Sequence, residues 1–183
     1  MRVEVAGTHH AGDIAAIYAP IVSSSVISFE TEPPSAEEMA RRIEVTLAQY
    51  PWLVALVEGK LAGYAYAHAF APRQAYAWSA ETSIYVDSEF RGMGIGRALY
   101  DELLETLRQQ GYCRAFAGIA LPNAASVALH EAAGFTHIGT YRRVGWKMGA
   151  WHDVGWWELD LRPEGEPPGR LIPFRKLERK QPN

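Results

Sequence analysis

The chain reads as an α+β domain: a mixed, mostly antiparallel sheet flanked by helices. Three observations predict it. Apolar residues switch between helical and strand-like spacing along the chain, strands from 52 to 86 are separated by short turn signals, and a glycine-rich turn at 91–96 joins a strand to an amphipathic helix.

Arg2 to Val5 reads as a first strand, followed by a helix on which Ile14, Ile17, Tyr18, Ile21 and Val22 recur at helical spacing. The stretch SSSVISFETEPP breaks that pattern into a loop. Ser35 with Glu38 forms a capping-box signature for a second helix, which carries Met39, Ile43 and Leu47 and stops before Pro51. Trp52 to Val57, the turn Glu58-Gly59 and Leu61 to Phe70 form a hairpin, and Ser79 to Val86 adds a strand to the meander. Beyond the glycine turn, Leu99, Leu103, Leu104 and Leu107 mark an amphipathic helix ending at Gly111. Arg114 to Ala120 is the next strand, and a helix from Ala124 to Ala133 closes on Gly134 as a left-handed cap. Phe135 to Tyr141 and Val154 to Leu161 read as the last strands.

With 183 residues, 48% hydrophobic and 21% charged, the chain suits one domain, residues 1–162, followed by a Pro-rich basic tail at 163–183. In that tail Arg170, Arg175, Lys176, Arg179 and Lys180 lie among Pro167, Pro168, Pro173 and Pro182, which suits a segment that wraps the domain or stays disordered. A net charge of -3 with interspersed signs argues against a nucleic-acid footprint. No apolar run reaches the roughly 18 residues of a membrane span, and the N-terminus lacks the order of a secretion signal, so a cytoplasmic protein is expected. The single cysteine, Cys113, is expected to pack beside a strand, and no cysteine–histidine set stands at metal-ligand spacing, so no metal is expected.

Arg91-Gly92-Met93-Gly94-Ile95-Gly96-Arg97 lies where backbone N–H groups without intrahelical partners converge at the positive end of a helix dipole. Glycines let the backbone approach an anion closely, and Arg91 and Arg97 can add charge. By itself the motif is a phosphate cradle or simply a glycine turn. The Gly-Lys-Ser/Thr ending of a P-loop is missing, and the glycine spacing is not that of a dinucleotide fold.

Set between Ile84-Tyr85-Val86 and the downstream Asn123-Ala124-Ala125-Ser126 … Gly134-Phe135, this turn resembles that of the GNAT N-acetyltransferases. The resemblance implies that acetyl-CoA is the co-substrate, its pyrophosphate held at 91–97 and its pantetheine arm paired with the backbone of Tyr85 and Val86, with Asn123 and Ser126 nearby. Asn123 also suits a helix N-cap.

Phe29-Glu30-Thr31-Glu32-Pro33, Tyr50-Pro51-Trp52-Leu53-Val54-Ala55, Ala75-Tyr76-Ala77-Trp78, Glu81-Thr82-Ser83-Ile84-Tyr85-Val86 and Trp151-His152-Asp153-Val154-Gly155 resemble, more narrowly, the phosphinothricin and methionine sulfoximine acetyltransferases. That likeness implies acetylation of the α-amino group of a small amino-acid analogue, and a homodimer with pockets near the subunit contact.

An ammonium must lose a proton before it attacks a thioester, so a general base is required. The resemblance points to Glu81. His130 stands where many GNAT enzymes carry a tyrosine beside the thioester, and an imidazole there suits proton transfer, as acid or base, or equally a helix histidine bonded to a neighbour. His9, His10, His68 and His137 have no matching context. A backbone N–H at the end of the Tyr85-Val86 strand would stabilise the oxyanion. Arg73 matches a family arginine suited to the carboxylate or phosphinyl group, with Tyr76 as a pocket wall and Phe29, Trp78 and Tyr85 as further walls or as core or interface packing. Ala71 stands where the phosphinothricin enzymes are expected to carry lysine, and Ala77 where they carry aspartate. One pocket cation is thereby lost, which favours a methionine-sulfone-like or another amino acid. Two other readings stay open: a GNAT enzyme for a different amine, such as a protein N-terminus or a polyamine, and a non-catalytic acetyl-CoA-binding domain.

Overall fold

A computed structural model of the chain describes residues 1–163, 165 and 167–177. Seven strands form one sheet in the order β1-β2-β3-β4-β5-β7-β6. They are β1 (Arg2–Val5), β2 (Trp52–Val57), β3 (Lys60–Ala69), β4 (Ser79–Val86), β5 (Arg114–Leu121), β6 (Thr136–Lys147) and β7 (Ala150–Asp160). Every neighbouring pair is antiparallel except β4–β5.

Because side chains alternate across a strand, the sheet feeds two apolar layers. Trp52, Val54 and Tyr64 pack against helices α1 (Ala11–Ser24) and α2 (Ala36–Leu47). Leu53, Ala55, Ala65, Ala67, Ala115, Ala117 and Ile119 face the other way, against Leu99, Leu103 and Leu107 of α3 (Ile95–Gln110). The alanines keep this second face shallow enough for α3 to lie close on the strands.

Ser35 caps α2 by accepting from the Glu38 N–H at 3.1 Å. The Glu38 carboxylate does not return the bond of a full capping box; it pairs with Arg41 and Arg42 instead. Gly111 (φ 96°) and Gly134 (φ 98°) take the left-handed conformation that ends α3 and α4 (Ala124–Ala132).

The last strands are longer than the sequence indicated. Residues 142–153 continue both arms of one hairpin, which turns at Met148 (φ 51°) and Gly149 (φ 75°). Its tip is clasped to the first half of the chain. The buried Lys147 ammonium donates to the carbonyls of Val22, at 2.6 Å, and Ser28, at 2.7 Å. The Val22 carbonyl belongs to the last turn of α1, where no intrahelical donor remains. A Cβ on Gly145 would lie 2.5 Å from the Phe29 ring, so this glycine is what admits the aromatic against the hairpin.

Where described, the C-terminal tail wraps the domain. The Trp78 indole N–H donates to the Gly169 carbonyl at 2.7 Å, Ile172 exchanges bonds with Gln110, and Phe174 is buried. Arg179, Lys180 and Pro182 lie outside the described residues.

Candidate active site

β4 and β5 pair only from Ser79↔Arg114 to Glu81↔Phe116, and then the two strands part. The direction of the freed peptide groups follows from the register with β3. The Asp87 N–H donates to Ala62, and the Trp78 carbonyl accepts from Cys113 and Arg114 on the opposite side. Peptide groups alternate along a strand, so those of Thr82, Ile84 and Val86 face the gap, while those of Ser83 and Tyr85 face β3. The peptide groups of Val86 are thus directed into the gap as expected, whereas those of Tyr85 are turned toward β3 and those of Ile84 take the second outward position.

The gap continues into a cleft of about 380 Å³ lined by Ile84, Tyr85, Val86, Arg91, Gly92, Gly94, Ile95, Gly96, Arg97, Asn123 and Ser126, among others. Ten of the eleven residues expected at the cofactor thus meet in one cleft. The other, Met93, is exposed and does not line it. Gly92 (φ 76°) and Gly94 (φ 78°) are left-handed, a conformation that places the start of α3 without strain only for glycine. No side chain caps α3, and its first backbone bond is Ala98 N–H to Gly94, so the N–H groups of Ile95, Gly96 and Arg97 point outward as anion donors.

Arg91 borders the cleft from its exposed rim. Arg97 is tied to Asp101 at 2.7 Å and to the Ala132 carbonyl at 2.8 Å, and so joins α3 to α4 as well as facing the cleft. Asn123 is the N-cap of α4, its side chain accepting from Ser126 N–H at 3.2 Å. The cradle, the free peptide groups and the cleft together fit an anionic head followed by an extended arm.

Glu81 stands at the last paired position, just before the strands part, and its side chain is 24% exposed. Burial pushes its carboxyl above the usual carboxylate range, and the nearby His68 opposes that shift. His68 is its cross-strand partner on β3, with Nε2 4.0 Å from the Glu81 carboxylate.

His130 lies on the other sheet face, 3% exposed, beside the narrow end of the gap. Nδ1 lies 2.7 Å from the Ser126 carbonyl, which can only accept, so Nδ1 carries the proton. Nε2 therefore accepts from the Tyr100 hydroxyl, at 2.6 Å. Burial lowers the His130 pKa, against the smaller effect of the Ser126 bond, and so favours the neutral ring. Both nitrogens are thus engaged with neighbours, the second of the two readings the sequence left open for this residue, and proton transfer in the gap is not supported by the geometry.

The residues expected to wall the substrate pocket divide. Arg73 and Tyr76 line a hollow of about 600 Å³ with Phe70, Ala71, Phe116, Tyr141 and Trp156. Phe116 shares the sheet face of Glu81, which places this hollow beside the carboxylate. Tyr85 borders the cofactor cleft and packs edge-on against Tyr18 and at a tilt against Tyr64. Phe29 packs on Gly145, and Trp78 holds the tail; neither lines the hollow. For both, an aromatic near a motif found a packing partner closer than the pocket. Ala71 lies in the hollow wall, whereas Ala77 does not.

Among the described residues, Glu4, His9 and His10 bring three ligand-type atoms within 4.8 Å of one another. His10 Nδ1 accepts from the Gly7 N–H at 3.0 Å, so its proton sits on Nε2, facing Glu4 at 3.6 Å. That tautomer offers a cation no lone pair.

The family model described as "Acetyltransferase (GNAT) domain" matches residues 10–156. The chain belongs to the GNAT acetyltransferases. It is an acetyl-CoA-dependent N-acetyltransferase. Its relatives include a phosphinothricin N-acetyltransferase of Streptomyces viridochromogenes, 42% identical over 86% of this chain and 87% of that one. An L-methionine sulfoximine/L-methionine sulfone acetyltransferase of Pseudomonas paraeruginosa is 33% identical over 89% of this chain and 96% of that one. The crystal structure of a GNAT superfamily phosphinothricin acetyltransferase from Sinorhizobium meliloti, in complex with AcCoA, superposes with a TM-score of 0.89 at 35% identity, covering 97% of this chain and 98% of that chain.

Proposed function

We propose that this GNAT enzyme acetylates the α-amino group of a small amino-acid analogue, of the phosphinothricin, methionine sulfoximine or methionine sulfone kind, with Glu81 as the general base. The observation that carries the reading is the place of Glu81: a half-buried carboxylate at the point where β4 and β5 part, on the sheet face of a hollow that holds Arg73. The names of the relatives support the substrate class.

Acetyl-CoA supplies the acetyl group and the thiol leaving group. The N-terminal N–H groups of α3 would hold its phosphates, with Arg91 beside them, and the peptide groups of Ile84 and Val86 its extended arm. Arg73 would pair with the substrate carboxylate through its planar fork, leaving the side chain to Phe70, Tyr76, Phe116 and Trp156. Glu81 then takes a proton from the ammonium, and a carboxyl whose pKa burial raises is better matched to that task than an exposed one. The N–H of Val86 or Ile84, both directed into the gap, suits the developing oxyanion. His130, with both nitrogens engaged, acts as a positioning residue that fixes α4 against α3.

With Arg73 the one charged side chain among the described residues that line the hollow and Ala71 in its wall, a neutral sulfone or sulfoximine suits the site better than an anionic phosphinate. A homodimer belongs to the same reading. Ile138, Tyr141, Val144, Trp146 and Trp151 are exposed apolar side chains along the β6–β7 hairpin, and a second copy would cover them. The test is mass-spectrometric detection of N-acetyl product from L-phosphinothricin, methionine sulfone, methionine sulfoximine, spermidine and a short peptide. Product from the amino-acid analogues alone is expected; product from spermidine or the peptide alone would refute the substrate assignment.

A further inference from the structure

We infer that His68 is the proton relay between Glu81 and solvent. The inference rests on the reading of Glu81 as the base. Net proton release makes an exit necessary. An ammonium entering as R–NH3+ becomes an amide R–NH–CO–CH3 and so loses two protons. The new N–C bond forms as the C–S bond breaks; one of those protons ends on the departing thiol, and the other must reach water. Glu81 receives a proton in each turnover and has to be cleared before the next.

His68 has the geometry for this. It sits directly across from Glu81 in the β3–β4 register, so both side chains project from the same face of the sheet. The alternation of peptide groups makes this a hydrogen-bonded pair, whose backbones are mutually fixed. His68 Nδ1 lies 3.1 Å from its neighbour's carbonyl, at Ala69. A carbonyl oxygen only accepts, so the neutral ring carries its hydrogen on Nδ1 and keeps the Nε2 lone pair. That Nε2 lies 4.0 Å from Glu81 Oε1, a separation that a small side-chain rotation or one bridging water closes.

The two side chains differ in their access to water: 41% of the His68 side chain is exposed against 24% of Glu81. A proton handed from the Glu81 carboxyl to Nε2 restores the carboxylate, and the resulting imidazolium loses its proton to solvent. Tyr66 flanks the pair on β3, and Arg42 shares a recess of about 130 Å³ with Tyr66 and His68. Arg42 is already committed to Glu30 and Glu38. His130, by contrast, has both nitrogens bonded and lies on the opposite face, so it cannot serve this exit.

The experiment measures kcat and both KM values for wild type, His68→Gln and His68→Ala, with the best amino-acid analogue, in dilute buffer and with added imidazole. Two variants are used because either one alone can fail to fold. The relay predicts that kcat falls about tenfold or more, that the KM for acetyl-CoA and for the amine stay within about twofold of wild type, and that imidazole restores kcat saturably in His68→Ala. Wild-type kcat in both variants, or a loss that imidazole does not touch, would overturn the relay and leave the acetyltransferase reading intact. Absence of turnover by wild type on every amino-acid analogue would instead remove the substrate reading, and the relay with it.

Discussion

Tyr100 donates its hydroxyl hydrogen to Nε2 of His130 across 2.6 Å, joining α3 to α4 behind the site where β4 and β5 part. Tyr100 is fully buried and also lies 3.3 Å from Thr82, on β4. This contact makes His130 part of the frame of the cleft. Tyr100→Phe is expected to cost about 1–3 kcal/mol of stability, since it leaves a buried acceptor unpaired. Urea unfolding measures the loss, and the pH profile of kcat/KM should keep its shape. A displaced acid or base limb would show that the Tyr100–His130 pair carries a reacting proton.

Glu81 is expected to destabilise the fold it serves. Its folded-state pKa is raised by burial, so its contribution to stability is present below the unfolded value of about 4.3 and is lost as pH rises through the folded value. Glutamine does not ionise. Glu81→Gln should therefore raise the melting temperature more at about pH 8 than at about pH 4. Thermal unfolding at both pH values checks the sign; an equal or opposite difference would contradict a desolvated carboxylate.

Arg73 faces the hollow but not the cofactor cleft. Arg73→Ala should raise the KM for the amino-acid substrate by about tenfold or more while leaving the KM for acetyl-CoA near wild type, because a charge-assisted pair contributes about 1.5–3 kcal/mol. Steady-state kinetics with each substrate varied in turn separates the two.

Gly94 supplies the reverse case. Its φ of 78° costs a side-chain-bearing residue about 1–2 kcal/mol, at the point that aims the first N–H groups of α3. Gly94→Ala should weaken acetyl-CoA binding, read by calorimetry, and leave the amine KM unchanged. Unaltered binding would mean that the phosphates lie elsewhere.

Lys147→Met removes the ammonium but not the bulk from the clasp between the hairpin tip and α1. Two buried carbonyls, at Val22 and Ser28, lose their donor, and a loss of about 2–4 kcal/mol is expected in urea unfolding. A change under about 0.5 kcal/mol would show the clasp to be incidental.

The sequence carried the strands and helices wherever one face is buried, because burial is what imposes a period. β2 through β5 and α1 through α3 were readable for that reason. Residues 142–153 were not: β6 is largely exposed on both faces, so no alternation marks it, and its turn uses Met148, which is no turn signal, before Gly149. The cradle was legible because its glycines answer a backbone need. The choice between Tyr85 and Ile84 was not, since it depends on which peptide groups β3 consumes. His68 escaped notice because its partner lies across a strand pair, and no spacing along the chain shows that register. Trp78 and Phe29 sit in motifs that predicted a pocket, yet the tail and Gly145 hold them.

The central claim is that Glu81 deprotonates an amine presented beside bound acetyl-CoA. Its most direct test is thiol release from acetyl-CoA on adding methionine sulfone, for wild type and Glu81→Gln, with acetyl-CoA affinity measured alongside by calorimetry. Steady release by wild type, a fall in kcat of about 10²- to 10⁴-fold in Glu81→Gln, and unchanged acetyl-CoA affinity are expected. Undiminished release by Glu81→Gln, with binding intact, would contradict it.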